Sequence, residues 1–301
     1  MLSLRAARRR PSSARLSHRL SLLALSLVLV SLFALSACGE KSEPTGASVP
    51  LYPVSIRDAD GRLVALKVRP ESIAVAGSAA VDLASSLALQ VTRVGTGSGD
   101  LHLGLIRTTK PQLILVSSDI DEIAANQARA LGIAVYAVPD RTLDGIEQAL
   151  SDVSLLAGVP VRGRIERKQV ADRREEVQTV LAAVKPVRVF VDLGHFATVS
   201  DSSFIGSLIS EAGGTNVAGP DVQEGPFALK RLRRLHPEVI VIGTDSRLTL
   251  AQLRRNPATR WLPAVRTGRL MRVDMQLLGP GPEAANGLRS LAAAFHPDAF
   301  R

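Results

Sequence analysis

The chain has 301 residues, 46% of them apolar and only 3% aromatic, so it has room for two domains whose cores must be filled by Leu, Val, Ile and Ala. The formal charge of +9 invites a nucleic-acid partner, but Arg5, Arg8, Arg9, Arg10, Arg15 and Arg19 carry most of it, and without them it falls to +3. The remaining chain does not interleave basic and aromatic residues, so no nucleic-acid partner is expected.

Residues 20–35 are apolar apart from serines, and Ser36, Ala37 and Cys38 follow. A charged start, an apolar middle and small residues before a cut describe a secretory signal over residues 1–37. The run is short for a membrane span, which needs about 20 apolar residues. Leu35-Ser36-Ala37-Cys38 resembles the bacterial lipobox, whose Cys is lipidated through its sulfur and becomes the new N-terminus. Cys38 is the chain's one cysteine, so a disulfide within the chain is impossible. Plain secretion and an uncleaved anchor are the alternatives. Residues 38–50 are polar, with Gly, Pro and Ser, and read as a tether.

Residues 51–159 read as a first lobe. Asp60-Gly61 is the turn of a hairpin over residues 52–64. Strands follow at 73–76, 112–116 and 133–138, with helices at 79–89, 120–131 and 142–156. Thr142 is placed to cap the last helix, with Asp144 in its first turn. Strands alternating with helices predict a parallel sheet covered on both faces, with ligands bound beyond the carboxyl ends of the strands. Those ends are Gly77-Ser78, Ser117-Ser118-Asp119 and Pro139-Asp140. Gly95-Thr-Gly-Ser-Gly lacks the Lys of a phosphate-cradling loop and reads as a flexible connection.

Residues 160–185 are densely charged. Gly and Pro are absent from residue 164 to 185, and Pro186 stops any helix. Ile165, Val170, Val177, Val180, Leu181 and Val184 supply a narrow apolar stripe. The pattern predicts one helix of about twenty residues, roughly 30 Å long, wet on most sides. Such a helix suits a bridge between two bodies, while an ordinary surface helix is the bland alternative.

Residues 186–301 read as a second lobe: strands at 187–191, 236–242 and 270–273, and helices at 203–212, 227–235, 250–255 and 284–295. Loops at strand ends carry Asp192-Leu-Gly-His195-Phe196, Gly243-Thr244-Asp245-Ser246 and Asp274-Met-Gln276. The fold class expected is α/β, two Rossmann-like lobes with mostly parallel central sheets joined by one long helix.

An ordered set of segments resembles the substrate-binding proteins of bacterial ABC importers for iron-siderophores and cobalamin. It comprises the strand entry Lys110-Pro111-Gln112, the turn Ala130-Leu-Gly-Ile-Ala-Val-Tyr136 and Leu156-Ala-Gly158. In the second lobe it adds the stretch from Phe204 to Val217, Pro280-Gly-Pro282, Gly287-Leu288 with Leu291-Ala292, and His296-Pro297. The resemblance implies two lobes around a cleft, little closure on the ligand, and a pre-formed pocket. It implies as partners an ABC permease and ATPase complex, a metal chelate of the ferric siderophore, haem or cobalamin class, and the membrane through lipid on Cys38. The protein is expected to act as a monomer in the cell envelope, facing the periplasm or cell exterior.

By loop position the candidate ligand contacts are Ser78, Ser118 and Asp119 from the first lobe and His195, Phe196, Thr244, Asp245 and Gln276 from the second. Loop capping is the alternative for the serines and Thr244, a helix N-cap for Asp119 and Asp245, and a satisfied place at the rim for His195. In the resembled family one acid on each lobe docks to the permease, seven residues before the Pro of each strand entry. Those positions before Pro111 and Pro237 are Gly104 and Lys230 here, so Asp100 and Glu224 are the nearest candidates. Lys230, Arg231, Arg233 and Arg234 form a basic patch instead, either a solvated face or a site for an anionic surface. The first lobe is also short between Gly95 and Lys110.

Catalysis is not expected: the chain carries no Gly-x-Ser-x-Gly elbow, His-Glu-x-x-His or phosphate loop. No cofactor or protein-held metal is expected either, since His18, His102, His195, His236 and His296 never pair at ligand spacing. A surface adaptor or sensor that keeps the scaffold without transport is the alternative function.

Overall fold

The structure is a computed structural model that describes residues 51–96, 100–118, 120, 122–222 and 225–301; Cys38, Asp119 and Glu224 fall outside this set. It begins with an antiparallel hairpin of β1 (Val54–Arg57) and β2 (Leu63–Leu66). Asp58 Oδ1 holds the turn by accepting from the backbone N–H groups of Asp60 at 3.1 Å and Arg62 at 2.8 Å. Gly61 supplies the positive φ of 76° that the turn requires.

The first lobe then runs β3 (Ile73–Ala76), α1 (Ser78–Ser86), β4 (Val91–Arg93), α2 (Leu103–Thr109) and β5 (Leu113–Val116). It ends with α3 (Glu122–Ala130), β6 (Ala134–Ala137) and α4 (Leu143–Leu156). The strands form a parallel sheet in the order β4-β3-β5-β6. Thr142 caps α4 as its sequence position predicts, its Oγ1 accepting from Gly145 N at 3.1 Å.

α5 (Pro160–Leu181) follows, with Pro160 in its first turn, where a missing N–H costs nothing. It starts earlier than the charged run suggests and includes Gly163. Val170 and Val177 are buried as the stripe predicts, but Ile165 is 52% exposed because the helix leans on its neighbours over a narrower line. The early part rests on α4, and Gly163 makes that contact possible: a Cβ there would stand 2.0 Å from Ser154 Oγ and 2.8 Å from Leu150 O.

The second lobe repeats the plan with β7 (Val187–Asp192), α6 (Phe204–Glu211), β8 (Gly214–Asn216), α7 (Leu229–Leu235) and β9 (Val239–Gly243). It adds α8 (Leu250–Arg255), α9 (Pro263–Thr267), β10 (Leu270–Val273), a 3-10 turn (Met275–Leu278) and α10 (Ala284–Phe295). Its parallel sheet has the order β10-β9-β7-β8, the counterpart of the first. The likeness reaches local detail. Lys110 after α2 and His236 after α7 both close seven-residue helices in a left-handed conformation, at φ 46°, and each is followed by Pro and a buried strand.

Strand residues divide between two sides of each sheet. Val75, Leu113, Leu115, Val189, Val191, Val239 and Val241 join one apolar cluster that continues through α4, α5 and α10. Ala74, Ile114 and Val116 face a separate core under α2 and α3, and Phe190, Ile240 and Ile242 face another under α7, α8 and α9. The two sheets are therefore connected by a continuous buried cluster, and residues 51–301 form one compact unit. A hinge between the sheets would have to break that packing.

Candidate functional site

At the carboxyl end of β7 the chain makes an unusual turn. Gly194, His195 and Phe196 all have positive φ, at 118°, 53° and 61°. Left-handed backbone is costly for a non-glycine residue and persists only where its surroundings impose it. Here Asp192 does so: its buried carboxylate accepts from Gly194 N and Phe196 N, both at 2.8 Å. Phe196 O then accepts from Phe227 N at 2.9 Å. The result is an exposed His195 beside a half-buried Phe196.

At the end of β9, Gly243 lets the next loop fold back, since a Cβ there would lie 2.5 Å from Asp245 Oδ1. Arg272 on β10 gathers that loop. Its Nη1 donates to Gly243 O at 3.2 Å, Thr244 O at 3.3 Å and Ser246 O at 2.8 Å, and its Nη2 to Leu248 O at 2.9 Å. The two loops and Met275 enclose a cavity of about 750 Å³, lined by His195, Phe196, Asp245, Arg247 and Leu248 among others. That volume lies in the range of small-molecule sites. The lining mixes apolar faces with two acids, Asp192 and Asp245, one guanidinium and one imidazole, and the Asp192 carboxylate is already engaged by the turn. Among the described residues, no three His, Cys, Asp or Glu side chains converge where they could hold a metal ion.

Of the residues expected from sequence, His195, Phe196 and Asp245 thus come together. Thr244 is exposed beside them, its N–H donating to Val273 O at 3.1 Å, and Gln276 sits in the 3-10 turn with its N–H on Asp274 Oδ1 at 3.0 Å. Neither lines the cavity; Met275 does. Asp245 is not a helix cap, because Thr249 caps α8 in a reciprocal pair with Gln252. Asp192, Arg247 and Arg272 were not anticipated. Asp192 followed two residues later by Gly was the one local signal, that of an Asx-turn.

On the first lobe, Ser78 opens α1 after Gly77, which has φ 89°. Ser118 lines a separate cavity of about 150 Å³ with Asp60, Arg62 and Glu122, and its N–H donates to Asp140 Oδ2 at 2.9 Å. The lobes meet where α1 touches the Pro280-Gly281-Pro282 turn: a Cβ on Gly281 would lie 2.9 Å from Asp82 Cβ. Burial there raises the Asp82 carboxyl above its ordinary pKa, partly opposed by Arg93. The contact joins α1, which follows β3, to the turn that follows β10 and the 3-10 turn.

Asp100 is exposed, with its carboxylate accepting from Thr96 Oγ1 at 3.4 Å. A Cβ on Gly104 would meet nothing, and Lys230 is exposed, so the second residue of both matching helices, α2 and α7, faces solvent without an acid. Residues 97–99 lie outside the description, but the span expected to be short, from Gly95 to Lys110, holds α2 and an antiparallel bridge between Gly95 and Leu101.

Known proteins with the same pattern fall in one group. A cobalamin-binding protein of Halobacterium salinarum is 25% identical over 205 residues, covering 62% of this chain and 53% of its own, so the match spans about half the length of that relative. An uncharacterized ABC transporter substrate-binding lipoprotein, YvrC of Bacillus subtilis, is 21% identical over 91% of this chain and 96% of its own. The periplasmic vitamin B12 binding protein BtuF of Vibrio cholerae superposes with a TM-score of 0.65 at 20% identity, over 77% of this chain and 98% of its own, a likeness of fold. Residues 60–277, which hold both sheets and the helix between them, match the sequence pattern of the periplasmic binding protein family, and the chain belongs to that family.

Proposed function

We propose that the chain is the lipid-anchored solute-binding component of an ABC importer, that it captures a metal chelate of the cobalamin, haem or ferric siderophore class, and that it delivers this to a membrane permease. The observation that carries this reading is the cavity of about 750 Å³ at the strand ends of the second lobe, held open by the Asp192 turn and the Arg272 clamp. His195, Phe196 and Asp245 are the contacts proposed there, and Ser78, Ser118, Asp119, Thr244 and Gln276 are proposed as further ligand contacts. The names of the relatives from Halobacterium salinarum and Bacillus subtilis support the same reading. Cys38 is the proposed lipid attachment. Binding rather than catalysis is the role its family implies.

Trp261 is a poor reporter of the cavity. It is 55% exposed, carries Arg260 4.8 Å above its ring, and does not line the site. Thermal shift with cyanocobalamin, haemin and a ferric siderophore is the better test. One of the three is expected to stabilise the chain, and Asp245→Ala or His195→Ala to reduce the shift. Silence from all three, or full response in both variants, rules the reading out. A second reading, an adaptor or sensor without transport, is favoured by the solvent-facing Gly104 and Lys230, with Asp100 and Glu224 left as the docking candidates. Recovery of a permease by crosslinking decides between them.

A further inference from the structure

The first lobe carries a second concavity at the opposite end of its sheet from the strand-end loops. One part, of about 530 Å³, is lined by Ala65, Leu66, Val68, Pro70, Ile106, Pro111, Leu131 and Ile133. A neighbouring part of about 530 Å³ runs on along β2 and β6, and the two share Ala65, Leu66, Gln112, Gly132 and Ile133. The four residues of β2 give the trough a length of about 13 Å. Its surface is mostly apolar, and Val68 and Leu131 remain 67% and 48% exposed at its border.

The charges around it are one-sided. Lys67, Arg107 and Lys110 line the first part, and no Asp or Glu does. Acids near the far end are already engaged: Asp60 and Glu122 with Arg62, and Asp58 with Arg129 at 3.9 Å. Gln112 Oε1 accepts from Glu71 N at 2.6 Å, which leaves its amide N–H groups to donate. An apolar trough closed at one end by paired charges and flanked at the other by three cations is complementary to a molecule with an apolar tail and an anionic head.

We propose that this trough binds a free single-chain amphipathic carboxylate, tail along β2 and head among Lys67, Arg107 and Lys110. The site is independent of the cavity on the second lobe, with which it shares no residue.

Isothermal titration of the full chain with dodecanoate below its micelle concentration tests this. Saturable binding is expected, weaker by about tenfold or more for dodecanol, which lacks the charge. The exposed pair Arg107→Glu/Lys110→Glu should abolish the preference for the anion, and Ala65→Trp should block the tail. Both variants are checked for an unchanged melting curve without ligand. No binding, equal binding of dodecanol or of a dodecylammonium cation, or undiminished binding by both variants overturns the proposal. So does association with anionic vesicles but not with free dodecanoate, since the occupant would then be a bilayer.

Discussion

Arg174 on α5 donates from Nε to Glu211 Oε2 of the second lobe at 2.7 Å, while its Nη1 reaches Asp144 and Glu147 on α4 of the first. One guanidinium thereby ties both lobes to the helix that joins them. Its side chain is only 17% exposed, and those of Glu147 and Glu211 are similarly covered, so solvent screens this cluster less than a surface pair. Arg174→Met keeps the stem but leaves Glu211 unpaired, and is expected to cost about 2 kcal/mol. Urea denaturation checks it. A change no larger than that of Lys168→Met, whose partner Asp172 is an exposed neighbour on the same helix, would contradict a structural role for Arg174.

The same cluster predicts how stability depends on pH. Burial holds the Glu211 carboxyl above its ordinary pKa despite the charge of Arg174, and burial does the same for Asp152, against its hydrogen bonds from Tyr136 and Gln148. The folded chain therefore keeps these protons more tightly than the unfolded one. The stability they contribute is present below the ordinary carboxylate pKa of about 4 and is lost as pH rises through their raised values. Asp144 has the opposite sign: the hydrogen bond from Arg174 lowers it, and its contribution disappears as pH falls through its lowered value. Because Asp144 is 76% exposed, its share is the smaller. Melting curves above pH 4 should decline less steeply in Glu211→Gln than in the parent.

Gly163 makes a sharper case about packing. A methyl at this position would press into Ser154 and the Leu150 carbonyl, where backbone cannot yield. Alanine normally favours a helix over glycine by about 1 kcal/mol. Here Gly163→Ala is expected to destabilise by about 1–3 kcal/mol, the range for overfilled cores. Gly104→Ala, in open space on α2, should instead gain a few tenths, and the pair of melting temperatures read side by side separates packing from propensity.

Much of this architecture is legible in the residue pattern. β10 at Leu270–Val273, α8 at Leu250–Arg255 and α10 at Ala284–Phe295 fall where apolar spacing and caps put them. β4 and β8 escaped because a three-residue edge strand has no period to detect, and its existence depends on a partner distant in sequence. α2 escaped because only Ile106 in it is buried. The site was harder. Loop position found His195, Phe196 and Asp245, since strand ends are countable. Arg272 lies 24 residues beyond the Leu248 carbonyl it holds, and no local motif reports such a bond.

Arg272 can be probed without touching the cavity wall, because it is not among the lining residues. Arg272→Met removes the donors that hold four carbonyls of the loop from Gly243 to Leu248. Asp245 and Arg247 should then sample many positions, and ligand affinity is expected to fall about tenfold or more. Arg272→Lys restores the charge but not the fork, so it should rescue little. An affinity equal to the parent's in Arg272→Met would mean that the loop is held by other contacts.

The strained turn after β7 supplies a test in which stability and binding move in opposite directions. His195 adopts a left-handed backbone that glycine would accept without steric cost. His195→Gly removes that strain, worth about 1 kcal/mol, and also removes an exposed ring from the cavity wall. The variant should therefore melt no lower than the parent and still bind its ligand more weakly. His195→Ala separates the two effects, because it loses the same ring but keeps the Cβ that conflicts with the backbone. It should bind as weakly as His195→Gly and melt lower. If both variants melt together, the turn is set by Asp192 alone, whose two backbone hydrogen bonds survive either change. In that case the positive φ at His195 stores no energy that the ligand site depends on.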